Sequence, residues 1–133
     1  MGETRYLGLL DVIALHAAVM ERTGRAPAPL RSEALLESAI MRPRTAAHYE
    51  GADLVRQCVL LVVGIAQAQA FLDGNKRTAF AAADVFLRLN GLAFSGDALD
   101  LAQQLERIAT RSGSLGEATA DIEEWLRGRV ARL

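Results

Sequence analysis

The sequence contains a single cysteine, Cys58, so no disulfide can form within the chain. Cys58 lies in an apolar stretch, and a lone thiol there is typical of a core residue in a reducing cytoplasm. The apolar run over residues 59–65 is too short to span a bilayer, which takes about 20 residues. Residues 1–6 lack the apolar segment of a secretory signal. We therefore expect a soluble cytoplasmic protein.

An excess of charge of either sign is also absent. The formal net charge is −1 and the basic residues are scattered, which gives no electrostatic reason to expect binding to nucleic acid or to a membrane surface. Aromatic residues make up only 5% of the chain, which argues against a surface on which bases stack. With 133 residues the chain can bury one core but not two, so we expect a single domain over residues 1–133.

Apolar residues recur at helical spacing along most of the chain. This pattern predicts about six helices joined by short connections, which is typical of an all-α bundle. The third predicted helix is apolar nearly all round and is expected at the centre of the bundle. The predicted helices cover residues 6–22, 33–41, 54–68, 77–89, 95–108 (beginning at Ser95 or Asp97) and 116–129.

The connections between these helices carry their own signals. Residues 24–31 contain two prolines and are predicted to be a connecting loop. Pro43 is expected to end the second helix, and residues 42–51 show no clear helical period. Asp53 is expected to cap the third helix. A turn is predicted at residues 112–114.

The stretch with the clearest chemical content is residues 69–78, Gln-Ala-Phe-Leu-Asp-Gly-Asn-Lys-Arg-Thr, between the third and fourth predicted helices. Asp73 is expected to cap the second of these helices, and Gly74 permits a sharp turn. The free amides of that helix start, with Lys76 and Arg77 beside them, predict an anion site, most naturally for phosphate. The Asp73 carboxylate is where a divalent cation bridging phosphates would be held. Taken locally, the same residues also fit an ordinary capped turn followed by two solvated cations.

The run Phe-x-Asp-Gly-Asn-Lys-Arg-Thr between two apolar helices resembles the signature of the Fic/Doc family, His-x-Phe-x-Asp/Glu-Gly-Asn-Lys/Gly-Arg. Lys76, where the nucleotidyl-transferring branch has glycine, makes the chain similar to the Doc (death-on-curing) branch. Further similarity lies in Tyr-Leu…Ala-Leu-His, in Leu-Leu-Glu-Ser-Ala…Arg-Pro-Arg and in Phe-Leu-Arg-Leu-Asn-Gly. The resemblance implies a Fic/Doc-type bundle of about six helices with a short flap before the central helix.

The same resemblance implies a function. The protein is expected to be the toxin of a toxin–antitoxin module, restrained by a Phd-like antitoxin. It would use ATP and Mg²⁺ to transfer a phosphoryl group to a hydroxyl of a translation factor, by resemblance elongation factor Tu. Transfer of a nucleotidyl group, a catalytically silent module that binds nucleotide or antitoxin, and an ordinary helical interaction domain are the alternatives.

Roles of individual residues follow from the resemblance as well. Asp73 is expected to engage the metal or the phosphates. Gly74 and Asn75 are expected to hold phosphate oxygens by backbone and amide, while Lys76 and Arg77 neutralise charge on the transferring group. In the predicted flap, Arg44, His48 and Tyr49 are candidate contacts to the target protein, and the alternative is an ordinary surface loop.

The chain departs from the family pattern at Gln69, which stands at the position of the catalytic histidine. An amide has no basic site near neutral pH, and losing a general base typically costs a factor of about 10²–10⁴ in rate. The loss is smaller where the transition state of phosphoryl transfer is loose, and Gln69 could still orient a hydroxyl or water. His16 and His48 are the only histidines that could replace the base, and His16 is expected to be a packed, hydrogen-bonded residue. We therefore expect reduced or lost activity.

Overall fold

The computed structural model describes residues 3–110 and 114–133, which form six α-helices and one pair of short strands. In chain order the elements are α1 (Leu9–Arg22), α2 (Glu33–Glu50), α3 (Leu54–Ala68), α4 (Asn75–Leu89), β1 (Leu92–Phe94), α5 (Ala98–Thr110), α6 (Leu115–Arg127) and β2 (Val130–Arg132). This architecture confirms the expected all-α bundle. Within the described ranges, no helix is long and apolar enough to cross a membrane. The turn predicted at residues 112–114 lies, apart from Ser114, outside the described residues.

Helix α3 lies at the centre of the bundle and packs against α2, α4 and α6. Every residue from 57 to 66 is buried, as expected of a helix that is apolar nearly all round. Burial raises the pKa of the Cys58 thiol to about 12, so this cysteine is a packed core residue and not a nucleophile. The predicted cap is confirmed, because the Arg56 N–H donates to Asp53 Oδ1 at 2.9 Å.

Helix α2 is longer than the sequence predicts. The expectation that Pro43 ends this helix, and that residues 42–51 form a flap, is wrong, because α2 continues past Pro43 as far as Glu50. Pro43 removes an amide donor, but it is buried on the apolar side of α2, and packing against α3 outweighs the lost bond. The packing is close, since a Cβ at Gly64 of α3 would lie 3.3 Å from the carbonyl oxygen of Ala39 in α2. The helix ends at Glu50, and the residue that caps it, Gly51, has a left-handed φ of 66°.

Helices α2 and α3 run in opposite directions. At one end, the Ser32 N–H before α2 donates to the carbonyl oxygen of Ala70 after α3, at 3.1 Å. At the other end, Arg56 Nε of α3 donates to Glu50 Oε2 of α2, at 3.0 Å. Helix α3, with 15 residues, spans ~22 Å. The end of α2 and the loop that follows α3 therefore lie at opposite ends of the bundle.

The two strands form a small antiparallel sheet, in which Leu92 lies opposite Arg132 and Phe94 opposite Val130. Strand β1 follows α4 directly after the turn at residues 90–91. Its partner strand is not predicted from the sequence, because the last helix is expected to continue to residue 129. That helix ends at Arg127, and the three residues of β2 are too few to give a strand pattern of their own.

Candidate phosphate-binding site

The motif loop, defined as residues 69–74, connects α3 to α4 through a left-handed residue at each end. Gln69 ends α3 with a φ of 48°, and Gly74 precedes α4 with a φ of 82°. Glycine is required at the second position for two reasons. A left-handed angle costs any other residue conformational energy, and a Cβ there would lie 2.8 Å from the sulfur of Met20.

Phe71 and His16 fix the motif loop to the core. The Phe71 side chain is 2% exposed and stacks on the His16 ring, with 3.7 Å between the ring centroids. His16 is also buried, and its Nε2 lies 2.9 Å from the Asp73 carbonyl oxygen. Because a carbonyl oxygen only accepts hydrogen bonds, Nε2 carries the proton and donates it. The expectation that His16 is packed and hydrogen-bonded is confirmed.

Asn75 closes the motif loop with its side chain. The Phe71 N–H donates to Asn75 Oδ1 at 3.1 Å, and Asn75 Nδ2 donates back to the Phe71 carbonyl oxygen at 2.8 Å. The side-chain oxygen and nitrogen are therefore engaged with the loop backbone. A contact between Asn75 and a phosphate is left mainly to its backbone N–H.

A second segment, the Pro loop of residues 24–31, runs along the motif loop. The Arg31 N–H donates to the Ala70 carbonyl oxygen at 2.6 Å, and Leu30 forms an isolated antiparallel bridge with Phe71. The sequence predicts this segment only as a connection between helices. In the structure it is joined to the motif loop by these backbone hydrogen bonds.

The motif loop, the start of α4 and the end of α1 line an open cleft of about 340 Å³. All six residues predicted as catalytic or phosphate-binding line this cleft, namely Gln69, Asp73, Gly74, Asn75, Lys76 and Arg77. Arg25 of the Pro loop lines it as well, although the sequence gives no signal for it. Its pairing partner lies 48 residues away, a distance that local patterns do not bridge.

The start of α4 is open. Its first backbone hydrogen bond runs from the Thr78 N–H to the Gly74 carbonyl oxygen, at 2.9 Å. The amides of residues 75–77 precede that bond and have no carbonyl partner within the helix. These amides, the positive end of the helix dipole and the lining cations together suit a phosphate group.

The expectation that Asp73 caps α4 is wrong. Gly74 is the residue before the helix, and no side chain accepts a capping hydrogen bond there. Asp73 Oδ1 instead accepts from the Gly74 N–H at 2.8 Å, while Oδ2 accepts from Nη1 of Arg25 at 2.5 Å. These two donors hold the pKa of the Asp73 carboxyl below its usual range, so the carboxylate is ionised at neutral pH.

The two cations of the motif differ in their partners. Lys76 Nζ donates to Glu106 Oε2 of α5, at 2.7 Å. Arg77 is exposed, and within residues 3–110 and 114–133 it has no ion pair or hydrogen bond through its side chain. Arg77 can therefore meet an anion without breaking an existing bond, whereas Lys76 would first have to leave Glu106.

A divalent cation fits this site only together with a ligand that brings its own oxygen atoms. Asp73 is the single carboxylate among the lining residues, and the described part of the chain contains no group of three His, Cys, Asp or Glu side chains able to hold a metal. Mg²⁺ is usually bound by one or two carboxylates, phosphates and water. Asp73 would therefore hold a Mg²⁺ ion only together with the oxygen atoms of a bound phosphate ligand.

The candidate target contacts Arg44, His48 and Tyr49 are not brought to the cleft. They lie in the last two turns of α2, at the opposite end of α3 from the motif loop. The Arg44 guanidinium lies 4.7 Å from the ring centre of Tyr6, and the rings of His48 and Tyr49 meet edge to face. These residues do not form a flap over the site, and their contact with a target stays a prediction.

The same placement bears on the missing base. His16 is buried beneath the motif loop and His48 is distant, so no imidazole of the described residues lines the cleft. Gln69 does line the cleft, and its backbone carbonyl oxygen accepts a hydrogen bond from Arg31 Nη2 at 2.7 Å. The structure thus supplies no histidine in place of Gln69.

The sequence of this chain is similar to those of known proteins. A model of the Fic/DOC family matches residues 6–87, which contain α1, the Pro loop, the motif loop and most of α4. The chain is 35% identical over 99 residues to Toxin Doc of Mycolicibacterium smegmatis, covering 70% of this chain and 75% of that protein. It is 36% identical over 91 residues to Protein kinase doc of Escherichia phage P1, covering 66% of this chain and 70% of that protein. The chain belongs to the Fic/DOC family.

Proposed function

We propose that this protein is a Doc-like toxin of a toxin–antitoxin module that acts in the cytoplasm. It would transfer the γ-phosphoryl group of ATP to a hydroxyl of a translation factor, by family resemblance elongation factor Tu. The names of the two relatives, a toxin and a protein kinase, support this proposal. The observation that carries it is the open start of α4, which faces a cleft lined by Arg77 and Asp73.

Each lining group has a part in this proposal. The amides of residues 75–77 bind phosphate oxygens, and Arg77 compensates negative charge as the phosphoryl group leaves. Asp73 would hold Mg²⁺ that arrives with the nucleotide, and the metal would neutralise charge on the phosphates. Lys76 joins these groups once it separates from Glu106.

We favour phosphoryl over nucleotidyl transfer because of Lys76. A glycine at this position would let the α-phosphate approach the backbone of the helix start. A lysine side chain crowds that approach and adds a charge. Its place in the first turn of α4, on the wall of the cleft, supports this reading.

Gln69 sets the expected rate. Its side chain can orient a hydroxyl by hydrogen bonding but cannot take the proton. Asp73, the one carboxylate among the described residues that line the cleft, is a poor substitute because the Gly74 N–H and Arg25 lower its pKa. We therefore propose slow transfer, with the hydroxyl proton lost late or to water.

The lack of an imidazole in the cleft also favours a second candidate, a catalytically silent module that binds nucleotide and antitoxin. In either case we propose a Phd-like antitoxin as partner, inhibiting from outside the chain. Leu72 of the motif loop is 59% exposed at the cleft and offers such a partner an apolar contact.

The test uses purified elongation factor Tu with ATP labelled at either the α- or the γ-phosphate. We expect slow transfer of the γ-label by the protein with Gln69, and transfer at least about tenfold faster by the Gln69→His variant. The Gln69→Ala variant is the control that separates an orienting amide from an inert side chain. Transfer of the α-label would replace the proposal by nucleotidyl transfer. ATP binding without transfer by any variant would leave the silent module.

A further inference from the structure

Arg25 is the third cation of the cleft, and the end of α1 sets its position. The Gly24 N–H donates to the Glu21 carbonyl oxygen and the Arg25 N–H to the Met20 carbonyl oxygen, both at 3.0 Å. Gly24 is left-handed, with a φ of 73°. These features define a Schellman motif, a tight helix ending that fixes the two residues after the cap. The backbone of Arg25 is therefore held at the cleft independently of its side chain.

The Arg25 side chain is paired with Asp73 but is not buried with it. Their side chains are 65% and 52% exposed. Water and salt screen such a pair, so it opens easily. The pair also lies in the cleft itself, because both residues line it. Exchange of partners at this pair does not require the fold to change.

We infer that Arg25 is a polyphosphate ligand that Asp73 holds in reserve until a cation takes its place on the carboxylate. This inference rests on the proposed nucleotide binding. Asp73 Oδ1 is engaged by the Gly74 N–H, so Oδ2 is the oxygen left for a cation, and Arg25 occupies Oδ2.

A cation on Asp73 Oδ2 displaces the Arg25 guanidinium, which then becomes free to enter the cleft. The open amides of residues 75–77 face the same cleft. A guanidinium presents paired N–H donors whose spacing matches the oxygens of a phosphate group. Arg25 would then bind the polyphosphate from the Pro loop, while Arg77 binds it from α4.

The test is a double-mutant cycle on Asp73 and Arg25, with ATP affinity measured by titration calorimetry in EDTA and in Mg²⁺. In EDTA, we expect Asp73→Asn to tighten ATP binding about fivefold when Arg25 is present, and less than about twofold in the Arg25→Gln background. In Mg²⁺, we expect Arg25→Gln alone to weaken ATP binding about fivefold.

The control is Arg88→Gln. Arg88 pairs with Asp84 near the other end of α4, and this Arg–Asp pair is also exposed, at 56% and 42%. We expect no change in ATP affinity. Equal effects of Asp73→Asn in both backgrounds, with no loss on Arg25→Gln in Mg²⁺, would overturn the inference. If ATP binds and Arg77→Gln weakens it while the Arg25 effects are additive, only the inference fails. If no variant binds ATP, both the inference and the proposed function fail.

Discussion

Each of the two central helices is preceded by an aspartate, and the two aspartates are used in opposite ways. Asp53 accepts a hydrogen bond from the Arg56 N–H, in the first turn of α3. Both of its carboxylate oxygens also accept from Arg127 of α6, at 2.7 and 3.1 Å. The helix start is capped, and its carboxylate is tied to a neighbouring helix.

Asp73 stands one residue further ahead of α4 than Asp53 does of α3, and it does not cap the helix. The left-handed Gly74 lies between them, so the carboxylate bonds the Gly74 N–H and the amides of residues 75–77 stay open. The same residue type therefore serves stability at one end of α3 and, in the proposed function, ligand binding at the other. The left-handed Gly74, which lies between Asp73 and α4, accounts for the difference.

The largest effect is expected from replacing Gly74, because its left-handed φ favours glycine. Gly74→Ala places a Cβ 2.8 Å from the Met20 sulfur in a left-handed residue, whereas at Gly51, also left-handed, no described atom lies within 4 Å. We expect Gly51→Ala to cost about 1 kcal/mol of unfolding free energy and Gly74→Ala about 2–4 kcal/mol, with loss of ATP binding. Urea unfolding and calorimetry measure both. Equal costs would mean that the Met20 contact relaxes freely.

Replacing the two aspartates by alanine should separate their roles. We expect Asp53→Ala to cost about 1–2 kcal/mol of unfolding free energy, from the lost cap and the Arg127 bonds, and to leave ATP affinity unchanged. Asp73→Ala should leave the urea midpoint nearly unchanged and remove the enhancement of ATP binding by Mg²⁺. A large loss of stability in Asp73→Ala, with intact Mg²⁺ dependence, would reverse the assignment.

Acid should act on the capped end of α3. The hydrogen bond from Arg127 lowers the pKa of Asp53. Burial acts to raise the pKa of Glu123, but hydrogen bonds from Arg127 and Arg56 outweigh burial, and the pKa of Glu123 is also lowered. Because both folded pKa values lie below the unfolded ones, their contribution is present above the unfolded values and lost as pH falls through the folded ones. We expect the unfolding free energy to drop below about pH 4. Urea unfolding should show a shallower drop in Asp53→Asn, and an unchanged drop would contradict this origin.

The smallest effect is expected at the end of α2. His48 lies outside the cleft and is exposed, so His48→Ala should leave both ATP affinity and unfolding free energy within error. Transfer to elongation factor Tu provides the sharper measurement. A lower transfer rate with unchanged ATP affinity would support a target contact at this end. A lower ATP affinity would contradict the placement of His48.

Much of the fold can be predicted from the sequence, because helical periods are local. The six helices and the buried centre of α3 follow from apolar spacing alone. The passage of α2 through Pro43 does not, because it depends on how closely α2 approaches Gly64 of α3. A residue that ends an isolated helix is tolerated where packing holds both sides of it.

The candidate site divides in the same way. Lys76, Arg77 and the free amides beside them are contiguous in the chain, so their anion site can be predicted from the motif. The Pro loop and Arg25 reach the site only through tertiary contacts, and nothing in their local sequence marks them. The capping role assigned to Asp73 fails because Gly74, in a left-handed conformation, is the residue directly before α4.

The most direct test of the open helix start is the amide spectrum of ¹⁵N-labelled protein, recorded while ATP and Mg²⁺ are added. We expect the amide resonances of residues 75–77, at the open start of α4, to shift with a saturable dependence on ATP. The resonances of residues 54–56, at the capped start of α3, should stay in place. Shifts confined to residues 54–56, or no saturable shift at residues 75–77, would contradict a phosphate site at α4.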